Sequence, residues 1–142
     1  MEQEKNFKVA ILPCNGIGRL VSTIVRQAGY RIVKQRPDDT VLLSSGAVIA
    51  DVPEQKEYAD KYPVIVINGC RPRCASAIME RKGKKPAVVI NVPEVMAERK
   101  IVIAGEKRTQ LGERGFKLVD AVVEITLQEV DKVLAEEMLS TL

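Results

Sequence analysis

The chain has 142 residues, of which 46% are hydrophobic and 29% are charged, a composition typical of a folded globular protein and unlike that of a disordered or collagenous one. Its sequence contains no histidine, which excludes Ser-His-Asp triads, Cys-His nucleophile pairs and Cys/His zinc fingers. The 22 basic and 19 acidic residues are spread evenly along the chain, and a net charge of +3 with no tryptophan argues against nucleic-acid binding.

The hydrophobic segments are short. The longest apolar runs, such as those at residues 47–50 and 64–67, have far fewer than the ~18 residues that a membrane-spanning helix needs. The first residues, Met-Glu-Gln-Glu-Lys-Asn, lack the basic and apolar regions of a secretion signal. We therefore expect a cytoplasmic protein that does not interact with a membrane.

The first predicted unit is a strand, a glycine-containing turn and a helix. Residues 7–12 form a short apolar run that is closed by Pro13, as expected of a buried strand. Helical spacing of apolar residues then predicts a helix that ends at Gly29 as a C-terminal cap. The residues of this stripe are Leu20, Val21, Ile24, Val25 and Ala28.

The next part of the chain predicts short elements. Residues 30–33 and 40–43 both resemble strands, a turn signal at 36–39 separates them, and only one of the two is expected to enter the central sheet. Residues 47–50 and 54–62 each predict a short helix, the second beginning at Pro53.

Residues 64–67, Val-Ile-Val-Ile, are the clearest buried strand, and Pro72 then favours the start of a helix that runs to about Lys82. Residues 86–90 predict a further parallel strand, whereas residues 93–115 carry mixed signals that assign no element. A capping box, Thr-Leu-Gln-Glu at 126–129, predicts the start of the last helix. The apolar stripe expected of that helix is Val130, Val133, Leu134, Met138 and Leu139.

Alternating short strands and amphipathic helices predict a single α/β domain over residues 1–142. The expected architecture is a three-layer α/β sandwich with an open, mostly parallel sheet, as in flavodoxin-like and Rossmann-like folds. In such sheets, ligands bind where loops leave the carboxyl ends of the strands.

The three cysteines of the chain all follow predicted strands. Cys14 comes after the first strand, Cys70 follows the strand at 64–67, and Cys74 lies in the first turn of the next helix. If these strands are neighbours, the thiols converge at one edge of the sheet, where helix N-termini should favour thiolates. Three unrelated core cysteines, or a redox-active disulfide between Cys70 and Cys74, are the alternatives.

These segments resemble a known family. Residues 14–18 read Cys-Asn-Gly-Ile-Gly, and residues 68–75 read Asn-Gly-Cys-Arg-Pro-Arg-Cys-Ala. Both are similar to the DGC (Asp-Gly-Cys) domain family, whose signature is a strand leading into Asp-Gly-Cys-Pro-x-x-Cys-Ala. The likeness covers about residues 7–92. Here Asn68 replaces the Asp of the signature, the proline lies one position later, and Ser44 and Ser45 lie in the region where the family tends to have a fourth cysteine.

The resemblance implies metal binding through Cys14, Cys70 and Cys74, without a known reaction. Zinc suits this set of donors, and an iron–sulfur cluster is the alternative. The fourth position is open or completed by a further ligand, and nearby arginines would offset the thiolate charge or attract an anionic ligand. The candidate fourth ligands are Ser44, Asp51 and Asn68, and the arginines are Arg19, Arg71 and Arg73. Gly69 is expected to adopt a positive φ in the turn.

Three roles follow from such a metal site: metal handling, redox chemistry, or assistance to another enzyme, with a protein partner or a second copy of the chain supplying the missing ligand. A different class of function is also open. Cys14 and Arg19 resemble the phosphate loop of low-molecular-weight tyrosine phosphatases and arsenate reductases, although the spacing is one residue shorter. This alternative makes Cys14 a nucleophile and Arg19 an oxyanion ligand.

Overall fold

The computed structural model describes residues 7–14 and 16–141, so the expectations about the chain start and Asn15 lie outside the described residues. A four-stranded sheet has the order β2-β1-β3-β4, and every neighbouring pair is parallel. The strands are β1 (Val9–Pro13), β2 (Thr40–Leu42), β3 (Val64–Asn68) and β4 (Val88–Asn91). The predicted open, mostly parallel sheet is confirmed, and β1 lies beside β3, which is the condition on which the expected convergence of the cysteines depends.

The described part of the chain contains six helices. They are α1 (Leu20–Gln35), α2 (Ser45–Ile49), α3 (Pro53–Lys61), α4 (Cys74–Arg81), α5 (Val92–Arg99) and α6 (Glu113–Ser140). Within this part, none of them combines the length and the hydrophobicity needed to cross a membrane.

The sheet is covered on both faces, which confirms the α/β sandwich. Strands β1 and β3 are buried at every position, as expected of central parallel strands with helices on both sides. Residues of α1, α5 and α6 share one apolar cluster with Ile11 and Ile65. Residues from α2, α3 and α4 share the other with Leu12 and Val66. Side chains of each central strand therefore alternate between the two layers of helices.

The prediction that a strand follows Gly29 is wrong, because α1 continues through residues 30–33 and ends at Gln35. The buried stripe of α1 extends through Ala28 to Ile32, so packing on the sheet continues the helix. Gly29 does not cap the helix. A Cβ atom there would lie 3.2 Å from Leu42 and 3.3 Å from Pro13, so glycine permits α1 to pack closely on the sheet.

The predicted capping box at residues 126–129 is also wrong, since α6 already begins at Glu113. Its cap comes from outside the helix: the Glu106 carboxylate accepts hydrogen bonds from the backbone N–H groups of Gly112, Arg114 and Gly115, at 2.7, 3.0 and 3.0 Å. Thr126 is fully buried in mid-helix.

The apolar stripe predicted for the last helix is correct only in part. Val130 and Val133 are buried and Leu134 is half-buried, whereas Met138 and Leu139 are exposed. The region that the sequence left unassigned contains α5 and a loop that packs Ile101, Ile103 and Leu111 onto the core. The fourth strand begins two residues later than predicted, at Val88, and α4 begins at Cys74 rather than at Pro72.

Candidate metal centre

The three cysteines lie together at the carboxyl edge of the sheet. Their sulfur atoms are all within 4.8 Å of one another. Cys14 is buried, Cys70 is half-buried and Cys74 is exposed, so the cluster lies at the surface with one side in the core. The structure thus brings together the residues that the sequence indicated, and their role as metal ligands remains a prediction.

The sheet itself positions Cys14 against Cys70. Strands β1 and β3 are hydrogen-bonded neighbours, with Pro13 opposite Ile67. The backbone N–H of Cys14 continues this ladder by donating to the carbonyl of Ile67 at 2.9 Å. Because both strands end at this point, the loops that follow them begin side by side.

The turn from β3 to α4 brings Cys74 back toward Cys70. Arg73 adopts the left-handed conformation, with φ of 53°, and its N–H donates to the carbonyl of Cys70 at 3.1 Å. The prediction of a positive φ at Gly69 is wrong, because the only glycines with positive φ in the described residues are Gly83 and Gly105. Gly69 is needed for space instead, since a Cβ there would lie 3.1 Å from Val25 and 3.3 Å from the carbonyl oxygen of Val21.

The buried side chain of Asn68 stabilises this turn through hydrogen bonds. Its side chain is fully buried and its amide donates to Ser76 Oγ at 2.8 Å and to Asn91 Oδ1 at 3.1 Å. Its Oδ1 accepts the backbone N–H of Ser76, in the first turn of α4, at 3.2 Å. Asn68 therefore fixes the N-terminus of α4 to the ends of β3 and β4, and its amide is committed to these bonds rather than to a metal.

The surroundings of Cys70 differ from the expectation that helix N-termini favour its thiolate. Burial raises the pKa of the Cys70 thiol, and the neighbouring Cys14 and Cys74 raise it further. The charge of Arg19 lowers the pKa of Cys70 but does not offset these effects. A thiol beside two other thiols resists ionisation, because a second negative charge would be held close to the first. A cation at this point would remove that penalty.

A cavity of about 510 Å³ opens over the three sulfurs. Its polar lining includes Arg19, Ser22 and Ser45, and its apolar wall includes Pro72 and Ile78. The sequence did not single out Ser22, because serines in a first helical turn usually have structural roles, and it indicated Ser45 only as lying in the region of the family's fourth cysteine. Their proximity to the cysteines depends on how three separate segments pack.

The candidate fourth ligands Ser44 and Asp51 do not line the cysteine cavity, and neither do Arg71 and Arg73. Asp51 pairs with Lys82 and lines a separate cavity. The backbone N–H of Ser44 donates to Gln55 Oε1, and Ser44 does not line the cysteine cavity. Arg73 lies 3.9 Å from Glu94, and Arg71 is exposed away from the cavity lining.

Comparison with models of protein families matches residues 10–113 to the DGC domain. The matched segment contains the three cysteines and every residue of the cavity lining. It extends beyond the resemblance visible in the sequence, which stopped near residue 92, and reaches the start of α6. Neither the curated proteins nor the solved structures contain a match to this chain.

Proposed function

Because this chain belongs to the DGC domain family, we propose that it is a metal-binding protein whose ligands are Cys14, Cys70 and Cys74, and whose metal is zinc. The observation that carries this proposal is the convergence of three sulfurs within 4.8 Å of one another. Two of them come from different strand ends, so the convergence is a property of the fold rather than of one local sequence motif.

The distances suit a metal–thiolate site. A zinc–sulfur bond is about 2.3 Å, so two sulfurs on one tetrahedral zinc are about 3.8 Å apart. Small side-chain rotations bring sulfurs within 4.8 Å to that separation. A donor set of thiols alone favours soft and borderline metals and disfavours Mg²⁺ and Ca²⁺, which prefer oxygen.

Three protein ligands leave one position of a tetrahedral metal. Structural zinc sites are nearly always closed by four protein ligands, whereas catalytic and exchange sites keep a position for another molecule. The cavity over the sulfurs gives access to that position. The site therefore suits metal transfer, or a metal that binds a further ligand, better than a purely structural role.

We expect anaerobically purified protein to contain about one zinc per chain and to show no visible absorption band. Elemental analysis and an absorption spectrum of the same sample measure both. Iron with sulfide and a visible band would instead assign an iron–sulfur cluster. Failure of the reduced, metal-free protein to bind Zn²⁺, Co²⁺ or Cd²⁺ would contradict the proposal.

Metal affinity should fall as the pH falls, because protons compete for the sulfur ligands. Where all three thiols carry their protons, binding displaces three of them, and the apparent affinity changes by up to roughly 1,000-fold per pH unit. The raised pKa of Cys70 extends this competition to higher pH than for an ordinary thiol. Competition titrations of Zn²⁺ against a chelator across the pH range would measure the slope, and a pH-independent affinity would contradict thiolate ligation.

A further inference from the structure

The cavity over the cysteines is larger than a metal ion requires. Its volume of about 510 Å³ lies within the range of small-molecule sites, about 300–1,000 Å³. The three cysteines form part of the lining, and the loops before α1 and α4 supply the remainder together with residues of α1, α2 and α4. The chemistry of these other groups indicates what kind of molecule fits beside the sulfurs.

The charge of the lining is positive. Arg19 lines the cavity, and no carboxylate does so among the described residues. Arg19 also forms no ion pair within residues 7–14 and 16–141, whereas Arg31, Arg36 and Arg99 each pair with an acidic side chain. Arg19 is thus an exposed cation at the cavity wall without a counterion among the described residues.

Ser22 provides an independent indication of a ligand. It is only 3% exposed and lines the cavity, and within the described part of the chain its hydroxyl has no hydrogen-bond partner. A hydroxyl can both donate and accept a hydrogen bond, and that of Ser22 does neither within the described residues. A polar molecule in the cavity would satisfy it. Ser45 presents a second hydroxyl to the same space.

Two of the three helices whose first turns line the cavity also favour an anion. The N-termini of α1 and α4 contribute Arg19 and Cys74 to the lining, and neither helix has an acidic residue in its first turn. Helix N-termini attract negative charge, and their first amides lack partners within the helix. By contrast, α3, α5 and α6 begin away from the cavity and carry Glu54, Glu94 and Glu113 in their first turns.

We propose that this cavity is a subsite for a small organic anion, whose carboxylate or phosphate group is held by Arg19 and Ser22 at the N-terminus of α1. The subsite lies beside the sulfurs, so its ligand can donate to the fourth position of the metal. That last point rests on the proposed function. The anion subsite itself does not, because none of the groups that form it is a proposed metal ligand.

Inorganic phosphate and acetate are suitable probes, and the reduced, metal-free full-length protein is titrated with each while backbone amide resonances are recorded by NMR. We expect saturable shifts in the first turns of α1 and α4. Arg19→Gln should weaken binding at least tenfold and Ser22→Ala at least threefold. Arg71→Gln is the matched control, since Arg71 is an exposed arginine of the same region outside the cavity lining, and it should change affinity less than twofold.

Phosphate binding that is tighter than acetate binding would assign a phosphate ligand, and the reverse order a carboxylate ligand. Absence of saturable shifts, or equal weakening by Arg19→Gln and Arg71→Gln, would overturn the subsite. Zinc binding is measured separately on the same preparations. Zinc binding without anion binding contradicts this inference alone, whereas anion binding without zinc binding contradicts the proposed function alone.

Discussion

Replacing any one cysteine with serine is expected to lower zinc affinity by more than about 100-fold. Loss of a group that merely orients a metal ligand costs about 10–100-fold, so loss of a ligand itself should cost more. All three sulfurs belong to one cluster, and the expected loss is therefore similar for Cys14→Ser, Cys70→Ser and Cys74→Ser. Competition titration of Zn²⁺ against a chelator, together with the sulfur-to-cobalt absorption band of the Co²⁺ form, would measure it.

Cys74→Ser is the most informative of the three variants. Cys74 is exposed, so its replacement should leave the fold and the free energy of unfolding nearly unchanged, whereas Cys14 is part of the core. Loss of zinc in a normally folded Cys74→Ser protein therefore reports ligation. Ser45→Ala is a suitable control, because it changes a small polar side chain in the same cavity without removing a sulfur. Wild-type zinc affinity in Cys74→Ser would exclude a three-cysteine centre.

The same variants discriminate metal binding from thiol catalysis. A phosphatase or arsenate reductase that uses Cys14 and Arg19 should lose turnover in Cys14→Ser, while phosphate-ester cleavage should not depend on Cys70 or Cys74. Hydrolysis of para-nitrophenyl phosphate that requires Cys14 and Arg19, resists chelators and survives Cys70→Ser would establish the catalytic alternative. We expect no such activity, and parallel loss of metal in all three variants.

Gly69→Val should lower the free energy of unfolding by about 2–3 kcal/mol and weaken metal binding as well. Even a Cβ atom at Gly69 would lie 3.1 Å from Val25 Cγ2 and 3.3 Å from the carbonyl oxygen of Val21, and the methyl groups of valine add further volume. Overpacking of this kind typically costs 1–3 kcal/mol. Relief of the contact requires the turn that carries Cys70 to move away from α1, which changes the distance from Cys70 to Cys14 at the end of β1 and so weakens metal binding.

Urea unfolding of the reduced, metal-free protein measures how far Gly69→Val lowers the free energy of unfolding, and zinc titration measures how far it weakens metal binding. Gly18→Val is the matched control: Gly18 lines the same cavity, and a Cβ there would have no neighbouring atom within 4 Å. We expect its free energy of unfolding to stay within about 0.5 kcal/mol of wild type. Equal stability of the Gly69→Val and wild-type proteins would show that α1 does not pack tightly on this turn.

The family and the sheet were accessible from the sequence because they depend on local patterns. Buried parallel strands appear as apolar runs, such as residues 64–67, and the cysteines directly follow two of them. The rule that loops meet at the carboxyl edge of a parallel sheet then placed Cys14, Cys70 and Cys74 together. The structure has the strand order that this argument requires, with β1 beside β3.

Predictions from local sequence patterns failed where contacts between distant segments determine the secondary structure. Residues 30–33 have side chains that suit a strand, but the buried position of Ile32 on the sheet keeps them in α1. The start of α6 is determined by Glu106, whose carboxylate caps the helix from a preceding loop. A capping box is recognised within four residues, whereas this cap requires the loop to fold back first.

The fold class, the family and the three residues of the candidate centre could therefore be predicted from the sequence. The chemistry around these residues became visible only in the folded chain: Arg19 has no carboxylate partner in the described residues, the hydroxyl of Ser22 lies unpaired at the cavity wall, and burial raises the pKa of Cys70. The physical reason is that hydrophobic periodicity acts over a few residues and is visible in the chain. Burial, charge pairing and cavity shape depend on segments such as β1, α1 and α4 that meet only when the chain folds.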